Sequence, residues 1–192
     1  MTAGRLLPDH VVAELLARWS EPHRRYHGHS HLLDGLEALH FLGAGRLERV
    51  AFWFHDAVHH NSTPDDELAS AALARELLRD LPAAEVDEVC RLILVTVDHA
   101  PHPADEAGGR MADADLHGLG LSWQRYCANV AGIRAELPAL GPAEWVERRR
   151  RFVERMLSRG SVFHTPTGLE LWELQARHNL RRELDQLSAS SW

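Results

Sequence analysis

The sequence predicts an all-α protein, because apolar residues recur at helical spacing along most of its 192 residues. No segment shows the sustained alternation of polar and apolar residues that marks a half-buried β-strand. Capping residues, glycines and prolines also divide the chain into pieces of helix length. These three observations predict one domain, residues 1–192, folded as a compact bundle of about eight helices.

The first three helices follow from apolar stripes and breakers. Val11, Leu15 and Trp19 lie on one face of a helix predicted over about residues 9 to 19. Ser30 is the expected N-cap of a second helix, which the glycine-containing segment 43 to 46 ends. A third helix is then expected over about residues 47 to 60.

The middle of the chain carries a strong start signal, since Thr63 is followed by Pro64 and by two acidic residues. It predicts a fourth helix that ends near Asp80, and a fifth helix is expected over residues 82 to 98. The breaker-rich segment 101 to 109 is predicted to be a loop.

The C-terminal part repeats the helical pattern. A short helical piece carries the DADL sequence at 113 to 116, and Ser122 is the expected cap of the next helix. Further helices are predicted over residues 142 to 159 and from 166 to about 188.

The composition excludes several classes of protein. No apolar run approaches the roughly 20 residues of a membrane-spanning helix. The net charge of −7 argues against a nucleic-acid polymer as the main partner. The first ten residues lack a secretory signal pattern, so a cytoplasmic location is expected. The sequence contains no lysine, which excludes Schiff-base chemistry at a lysine.

Four consecutive arginines, residues 148 to 151, form the one basic run. Apolar residues flank this run at helical spacing, which favours a solvated helix face over a phosphate-binding patch.

His55 and Asp56 are the first candidates for a functional site, because they follow an apolar helical segment. Burying a carboxylate there is costly unless a cation compensates its charge, although a hydrogen-bonded His–Asp pair within a core is the plain alternative. His31 lies one helix upstream and Asp115 one loop downstream, so three helices can converge on one point. Imidazole and carboxylate ligands suit manganese, iron, cobalt, zinc or magnesium, and four of them leave positions for water and substrate.

The order His, then His-Asp, then Asp resembles the signature of the HD superfamily of metal-dependent phosphohydrolases. The resemblance extends to the bacterial group described as predicted metal-dependent HD phosphohydrolases. The motifs that carry this resemblance are EPHRRYHGHSHL at 21–32, FHDAV at 54–58, DELASA at 66–71, DADLHGLG at 113–120 and ARHNLRREL at 176–184.

The resemblance implies an HD-type domain with one divalent metal ion on His31, His55, Asp56 and Asp115. Asp113 is the alternate ligand, and it would point to a different side of the helix from Asp115. Superfamily members place the ligand just before a small residue or a leucine, which favours Asp115. Many HD enzymes carry glycine and lysine shortly after the His-Asp pair, where this chain has Val58, His59 and His60.

The implied activity is hydrolysis of a phosphoester or phosphoanhydride in a small nucleotide or other phosphorylated metabolite, through a metal-activated water. The residues expected to take part in catalysis are Asp56, His99 and Glu67. Those expected to contact the substrate are Arg24, Arg25, Tyr26, His27 and Ser70.

Two other functions fit the same residues. One is a di-iron oxygenase of the HD type, and the other is a sensor that binds metal and nucleotide without turnover. A homodimer is left open by the sequence.

Overall fold

The computed structural model describes residues 6–189, and within that range nine helices are joined by loops and two 3₁₀ turns. No strand occurs among these residues, so the all-α prediction is confirmed. The expectation about the first ten residues falls partly on residues 1–5, which lie outside the described range. None of the helices between residues 6 and 189 combines the length and hydrophobicity that a membrane crossing requires.

Eight of the helices are regular α-helices. In chain order they are α1 (Asp9–Trp19), α2 (His29–Phe41), α3 (Arg46–Phe54), α4 (Asp65–Leu77), α5 (Ala83–Leu94), α6 (Glu106–Leu116), α7 (Trp123–Ala135) and α8 (Pro142–Ser158). The ninth helix, α9, consists of the consecutive segments Pro166–Gly168, Leu169–Glu173 and Leu174–Ala189, of which the middle one is π-helical. The 3₁₀ turns are Val95–Val97 and His117–Gly120.

Two predicted helix boundaries near the candidate site are wrong. Helix α2 begins at His29 with Gly28 as its N-cap, so Ser30 lies inside the first turn rather than at the cap. Helix α3 ends at Phe54 instead of continuing to residue 60, and His55 is its C-cap. The guanidinium of Arg24 accounts for the early end, because it donates to the carbonyl oxygens of Asp56 and Ala57 and so replaces helical hydrogen bonds.

Other boundaries shift by a few residues. Helix α4 begins at Asp65, after Pro64, and ends at Leu77 rather than near Asp80. The fifth predicted helix is shorter than expected, since the α-helix ends at Leu94 and a 3₁₀ turn follows. Helix α6 begins inside the predicted loop because the Asp105 side chain caps it, accepting from the Gly108 N–H at 2.9 Å.

The starts predicted for the C-terminal helices agree with the structure, as does the predicted cap Ser122. The Ser122 hydroxyl accepts from the Arg125 N–H at the start of α7. Helix α8 begins at Pro142, and the Thr165 hydroxyl caps α9 by accepting from the Gly168 N–H at 2.9 Å. A helix cap involves residues that are neighbours in sequence, so these helix starts can be predicted without knowledge of the fold.

The buried apolar residues form two clusters, and α6 contributes to both. Met111 and Ala114 belong to the cluster built with α1–α5, whereas Leu116 belongs to the cluster built with α7–α9. Trp172 of α9 packs against both clusters. The last turn of α6 therefore lies where the two halves of the core meet, and this turn carries Asp115.

Candidate metal centre

The four ligands implied by the resemblance come from three helices and converge. His31 lies in the first turn of α2, His55 caps the C-terminus of α3, Asp56 follows it, and Asp115 lies in the last turn of α6. The His31 Nε2 atom is 3.0 Å from Asp115 Oδ1 and 3.6 Å from Asp56 Oδ2. The His55 Nε2 atom is 3.2 Å from Asp56 Oδ2 and 3.4 Å from Asp115 Oδ1. Two imidazole nitrogens and two carboxylate oxygens thus share one small volume.

The hydrogen bonds of His55 and Asp115 orient their ligand atoms. The carbonyl oxygen of Phe52 can only accept, so the His55 Nδ1–H donates to it at 2.8 Å and leaves Nε2 facing the cluster. On the other side, His99 Nε2 lies 2.7 Å from Asp115 Oδ2, the oxygen that does not face His31. Such outer hydrogen bonds fix the orientation of metal ligands in proteins.

His99 reaches Asp115 from a strained backbone. Its φ angle of 52° lies in the left-handed region, which residues other than glycine rarely adopt. The Arg159 guanidinium donates to the carbonyl oxygens of His99 and Asp98 at 2.9 and 2.6 Å and holds this conformation. His99, which the resemblance implies takes part in catalysis, therefore contacts the candidate ligand Asp115 directly.

Aromatic rings surround the two ligand histidines. The Phe52 ring lies 4.2 Å from the His55 ring and the Trp19 ring 5.6 Å from it, measured between centroids. The Tyr26 ring lies 4.9 Å from the His31 ring. Both histidines are almost fully buried, so their charges are poorly screened by water.

The electrostatics of the cluster are those of a site that stabilises positive charge. Burial lowers the pKa of His55, but the Asp56 and Asp115 carboxylates outweigh it and raise this pKa well above its usual range. Burial raises the pKa of both carboxyls, yet the neighbouring His55 outweighs it and holds each of them low. The two carboxylates and two imidazoles of this partly buried place form a donor set that divalent transition metals accept.

Asp113 has a different role in the structure. It is fully buried and accepts from the His164 N–H at 2.7 Å, the Thr165 N–H at 2.8 Å and the Thr165 hydroxyl at 2.6 Å. These bonds attach the segment before α9 to α6. Asp113 and Asp115 are alternatives for the last ligand position in the sequence, and Asp115 is the one that lies at the cluster.

The two arginines expected to contact substrate, Arg24 and Arg25, differ in burial and in the groups that they bind. Arg24 is buried, and besides the carbonyls after α3 it binds the His27 carbonyl and the Glu21 carboxylate. It fixes the backbone around the site, so we do not assign it to the substrate. Arg25 is exposed, and its main-chain N–H donates to Glu136 at 2.6 Å.

Ser70 is also structural. Its hydroxyl accepts from the Val58 N–H at 3.0 Å and holds the turn that follows Asp56, and the side chain is fully buried. Glu67 lies in the wall of the cavity described below, where Thr63 donates to its Oε1 atom at 2.9 Å. The Oε2 atom of Glu67 is buried and lacks a hydrogen-bond partner among the described residues.

Tyr26 and His27 line the cavity beside the cluster. Burial, together with the Asp115 and Asp56 carboxylates, raises the pKa of Tyr26, so its phenol stays protonated and can donate a hydrogen bond. The Nδ1 atom of His27 lies 2.6 Å from Glu136 Oε2.

A second group of possible ligands adjoins the first. His27, Asp56 and His59 each offer one ligand atom, and these atoms lie within 4.8 Å of one another. His31, His55 and Asp56 meet the same criterion. Asp56 therefore belongs to both groups.

A cavity of about 1080 Å³ opens over Asp56 and Asp115. Five arginines of α8 and the segment after it contribute to its wall: Arg148, Arg149, Arg151, Arg155 and Arg159. Of these, Arg149 is buried and paired with Glu183. Arg151 pairs with Glu147 at 2.7 Å, whereas Arg148 and Arg155 have no carboxylate partner within residues 6–189. The basic run expected to be a solvated face thus also faces the candidate site.

Comparison of the chain with protein-family models, with curated proteins and with solved structures gave no match. The interpretation of the site therefore depends on the residues and geometry of this chain.

Sequence reasoning missed Glu136, which the structure places at the centre of the His27 segment. Its Oε1 atom accepts from the main-chain N–H groups of Arg25, Tyr26 and His27 at 2.6 to 2.9 Å. More than a hundred residues separate these partners, and a glutamate at the end of a helix gives no local signal of such a contact. The arginine face was visible as a run, but only the packing of α8 shows what it faces.

Proposed function

We propose that this chain is a metal-dependent phosphohydrolase of the HD type, acting on a small nucleotide or other phosphorylated metabolite. The observation that carries the proposal is the convergence of two buried imidazoles and two carboxylates on one point at the wall of a large cavity. Proton acceptors and an arginine-lined wall around that point support hydrolysis of an anionic substrate.

His31, His55, Asp56 and Asp115 would hold the ion. When bound, a divalent metal supplies Lewis acidity, which polarises a phosphoryl oxygen and activates water. The chain's own contribution is to present four ligand atoms, of which those of His55 and Asp115 are already oriented by Phe52 and His99.

Substrate binding is assigned to the cavity wall. The Arg148 and Arg155 guanidinium groups lack carboxylate partners among the described residues and are free to pair with phosphate oxygens. The protonated phenol of Tyr26 adds a neutral donor close to His31. A row of arginines on a chain of net charge −7 would also attract anionic substrates to this opening.

Proton transfer is assigned to the Glu67 carboxylate of the cavity wall, and His99 is assigned a positioning role. Glu67 lines the cavity, and its Oε2 atom has no hydrogen-bond partner in residues 6–189, so this carboxylate can take up a proton from water or substrate. His99 is assigned the positioning of Asp115, because its Nε2 atom already contacts that carboxylate.

The test is release of inorganic phosphate from a panel of nucleoside mono-, di- and triphosphates and simple phosphate monoesters. Each of manganese, iron, cobalt, zinc and magnesium is supplied in turn. We expect turnover by the natural chain and loss of it in His31→Gln. His29→Gln is the matched control, since His29 is exposed on the same helix turn and should leave turnover unchanged.

Two outcomes would replace the proposal by its alternatives. Oxygen consumption by the iron-loaded chain without phosphate release would favour an oxygenase. Thermal stabilisation by a nucleotide without phosphate release would favour a sensor.

A further inference from the structure

The cavity over the candidate metal centre has an apolar part. The end of α7, the loop after it and the start of α8 contribute four apolar side chains to its lining, here called the apolar wall: Ile133, Leu137, Leu140 and Trp145. All four are half-buried, and none of them packs into either core cluster of residues 6–189. The packing of the core therefore does not explain why apolar residues lie here.

The guanidinium of Arg134 fixes the backbone of the apolar wall. It donates to the carbonyl oxygens of Leu137 and Leu140 at 2.6 and 2.8 Å. It also lies 5.6 Å from the centroid of the Trp145 ring, so it joins the loop to the start of α8. The wall is therefore ordered before a ligand binds, which reduces the entropic cost of binding.

The apolar wall is also attached to the segment beside the candidate metal centre. Glu136 lies within the wall in sequence, and its Oε1 atom accepts from the N–H groups of Arg25, Tyr26 and His27 at 2.6 to 2.9 Å. Tyr26 and His27 line the same cavity. The wall and the candidate ligands thus border one cavity and are held in a fixed relation to each other.

The size of the cavity indicates a large organic group in the substrate. Pockets for drug-sized ligands have volumes of roughly 300–1,000 Å³, and this cavity of about 1080 Å³ lies above that range. A phosphate group and a metal ion fill only a small part of such a volume. Room therefore remains for a group that reaches the apolar wall.

The chemistry of the wall favours a hydrocarbon group over a nucleobase or a sugar. Apart from the indole N–H of Trp145, its side chains offer no hydrogen-bonding groups. Glu144, which precedes Trp145, already accepts from the Gly141 N–H at 3.1 Å through Oε2. The polar edge of a base or the hydroxyls of a sugar would stay unpaired against this wall, which weakens binding. A hydrocarbon group loses nothing there and leaves water.

We propose that the substrate is a phosphate monoester of a large hydrocarbon group, which packs against the apolar wall while the candidate metal centre, Arg148 and Arg155 bind the phosphate. In its hydrolysis the P–O bond to the organic group breaks, the oxygen of water takes that place on phosphorus, and the organic group leaves as an alcohol with a proton from the water. The proposal rests on the proposed function, because the metal centre would bind the phosphate. It selects a phosphorylated metabolite other than a nucleotide.

The test is the affinity of the manganese-loaded full chain for methyl-, butyl- and octylphosphonate, measured by titration calorimetry. The C–P bond of a phosphonate is not hydrolysed, so binding is measured without turnover. We expect the affinity to rise about threefold to fourfold for each added methylene group that the wall buries.

Trp145→Ala should weaken the binding of octylphosphonate about tenfold or more and leave that of methylphosphonate unchanged. Phe41→Ala is the matched control, since this aromatic side chain is 59% exposed and lies outside the cavity lining, and it should keep the dependence on chain length. Circular dichroism checks the folding of both variants. Leu140→Ala is the second variant should Trp145→Ala fail to fold, and it too should weaken octylphosphonate binding.

The outcomes separate this proposal from the proposed function, because phosphate release from octyl phosphate and from nucleotides is measured in parallel. Equal affinity for the three phosphonates, no binding of any of them, or an equal loss in Phe41→Ala would overturn the apolar site. Phosphate release from a nucleotide in that preparation would leave the hydrolase standing. Chain-length dependence that Trp145→Ala removes, without phosphate release from any substrate, would support the apolar site and count against the hydrolase.

Discussion

Asp113 and Asp115 show how two identical residues, two positions apart, take different roles. Asp115 faces the histidines of the candidate centre, whereas Asp113 accepts three hydrogen bonds from the segment before α9. The difference follows from the helix, which turns neighbouring positions in different directions.

Substituting the two aspartates should therefore give opposite phenotypes. Asp115→Asn should lose metal with little change in the stability of the metal-free chain. Asp113→Asn should keep metal but lose about 2 kcal/mol, because an amide nitrogen would face a donor, and this corresponds to a fall in Tm of about 4–8 °C. Metal content and thermal melts check both variants, and equal effects in the two would contradict the assignment.

His55 makes the stability of the folded chain depend on pH. Its pKa is raised in the folded, metal-free chain, so its protonated form stabilises the fold below its ordinary pKa of about 6.5. That contribution is lost as the pH rises through the folded-state pKa. The carboxylates behave in the opposite way, since they stabilise the fold above their ordinary pKa and lose this effect as the pH falls through their depressed values.

We expect metal binding near neutral pH to release a proton, because a metal binds only the neutral imidazole of His55. The apparent affinity should rise with pH until the folded-state pKa of His55 is passed. Titration calorimetry in two buffers of different ionisation enthalpy measures the proton count. Identical binding enthalpies in the two buffers would mean that His55 is already neutral before metal binds.

At the scale of helices, the approach of α2 to α3 sets the spacing of the two ligand histidines. Gly35 of α2 faces Phe52 of α3 so closely that a Cβ atom at Gly35 would lie 2.0 Å from the Phe52 ring. His31 lies one turn before Gly35, and the Phe52 carbonyl orients His55. A glycine at this point therefore serves both the packing and the ligand geometry.

Gly35→Ala should destabilise the chain by about 1–3 kcal/mol through overpacking and should weaken metal binding at the same time. Gly160→Ala is the control, because a Cβ atom there meets open space. Chemical denaturation and metal titration give the two readouts. Unchanged stability of Gly35→Ala would show that α2 and α3 have more room than the structure indicates.

Helix α8 supplies the arginines of the cavity, and their contribution is expected in substrate binding rather than in chemistry. Arg148→Ala and Arg155→Ala should each raise KM about tenfold, which is the loss of one charged hydrogen bond of about 1.5 kcal/mol, with kcat little changed. The exposed Arg181 of α9 is the matched control. An unchanged KM in both variants would indicate that the arginines of α8 form only a solvated helix face, as the sequence predicts.

The sequence predicts the helices well and the site only in part, because the site depends on contacts between residues far apart in sequence. Periodicity and caps such as Ser122 are local features, so they can be recognised without knowledge of the fold. The end of α3 at Phe54 depends on Arg24, which is 32 residues from Asp56 in sequence. The orientation of His27 depends on Glu136, 109 residues away. Contacts of this range are made only by the packing of the whole chain.

For the whole molecule, the candidate centre lies where the two core clusters meet. The cluster of α1–α5 supplies His31, His55 and Asp56, and α8 of the other cluster supplies the arginine wall. Asp115 lies on α6, which belongs to both. The arrangement places the candidate metal ligands and the arginine-lined wall on different halves of the core, and both border the same cavity.

The central claim is that the four converging side chains bind a divalent metal. Elemental analysis of the natural chain tests it most directly, after incubation with manganese, iron, cobalt, zinc and magnesium in turn and removal of free ion. The account predicts at least one tightly held ion per chain with one or more of these metals. A chain that retains none of the five would contradict the metal centre and the function proposed from it.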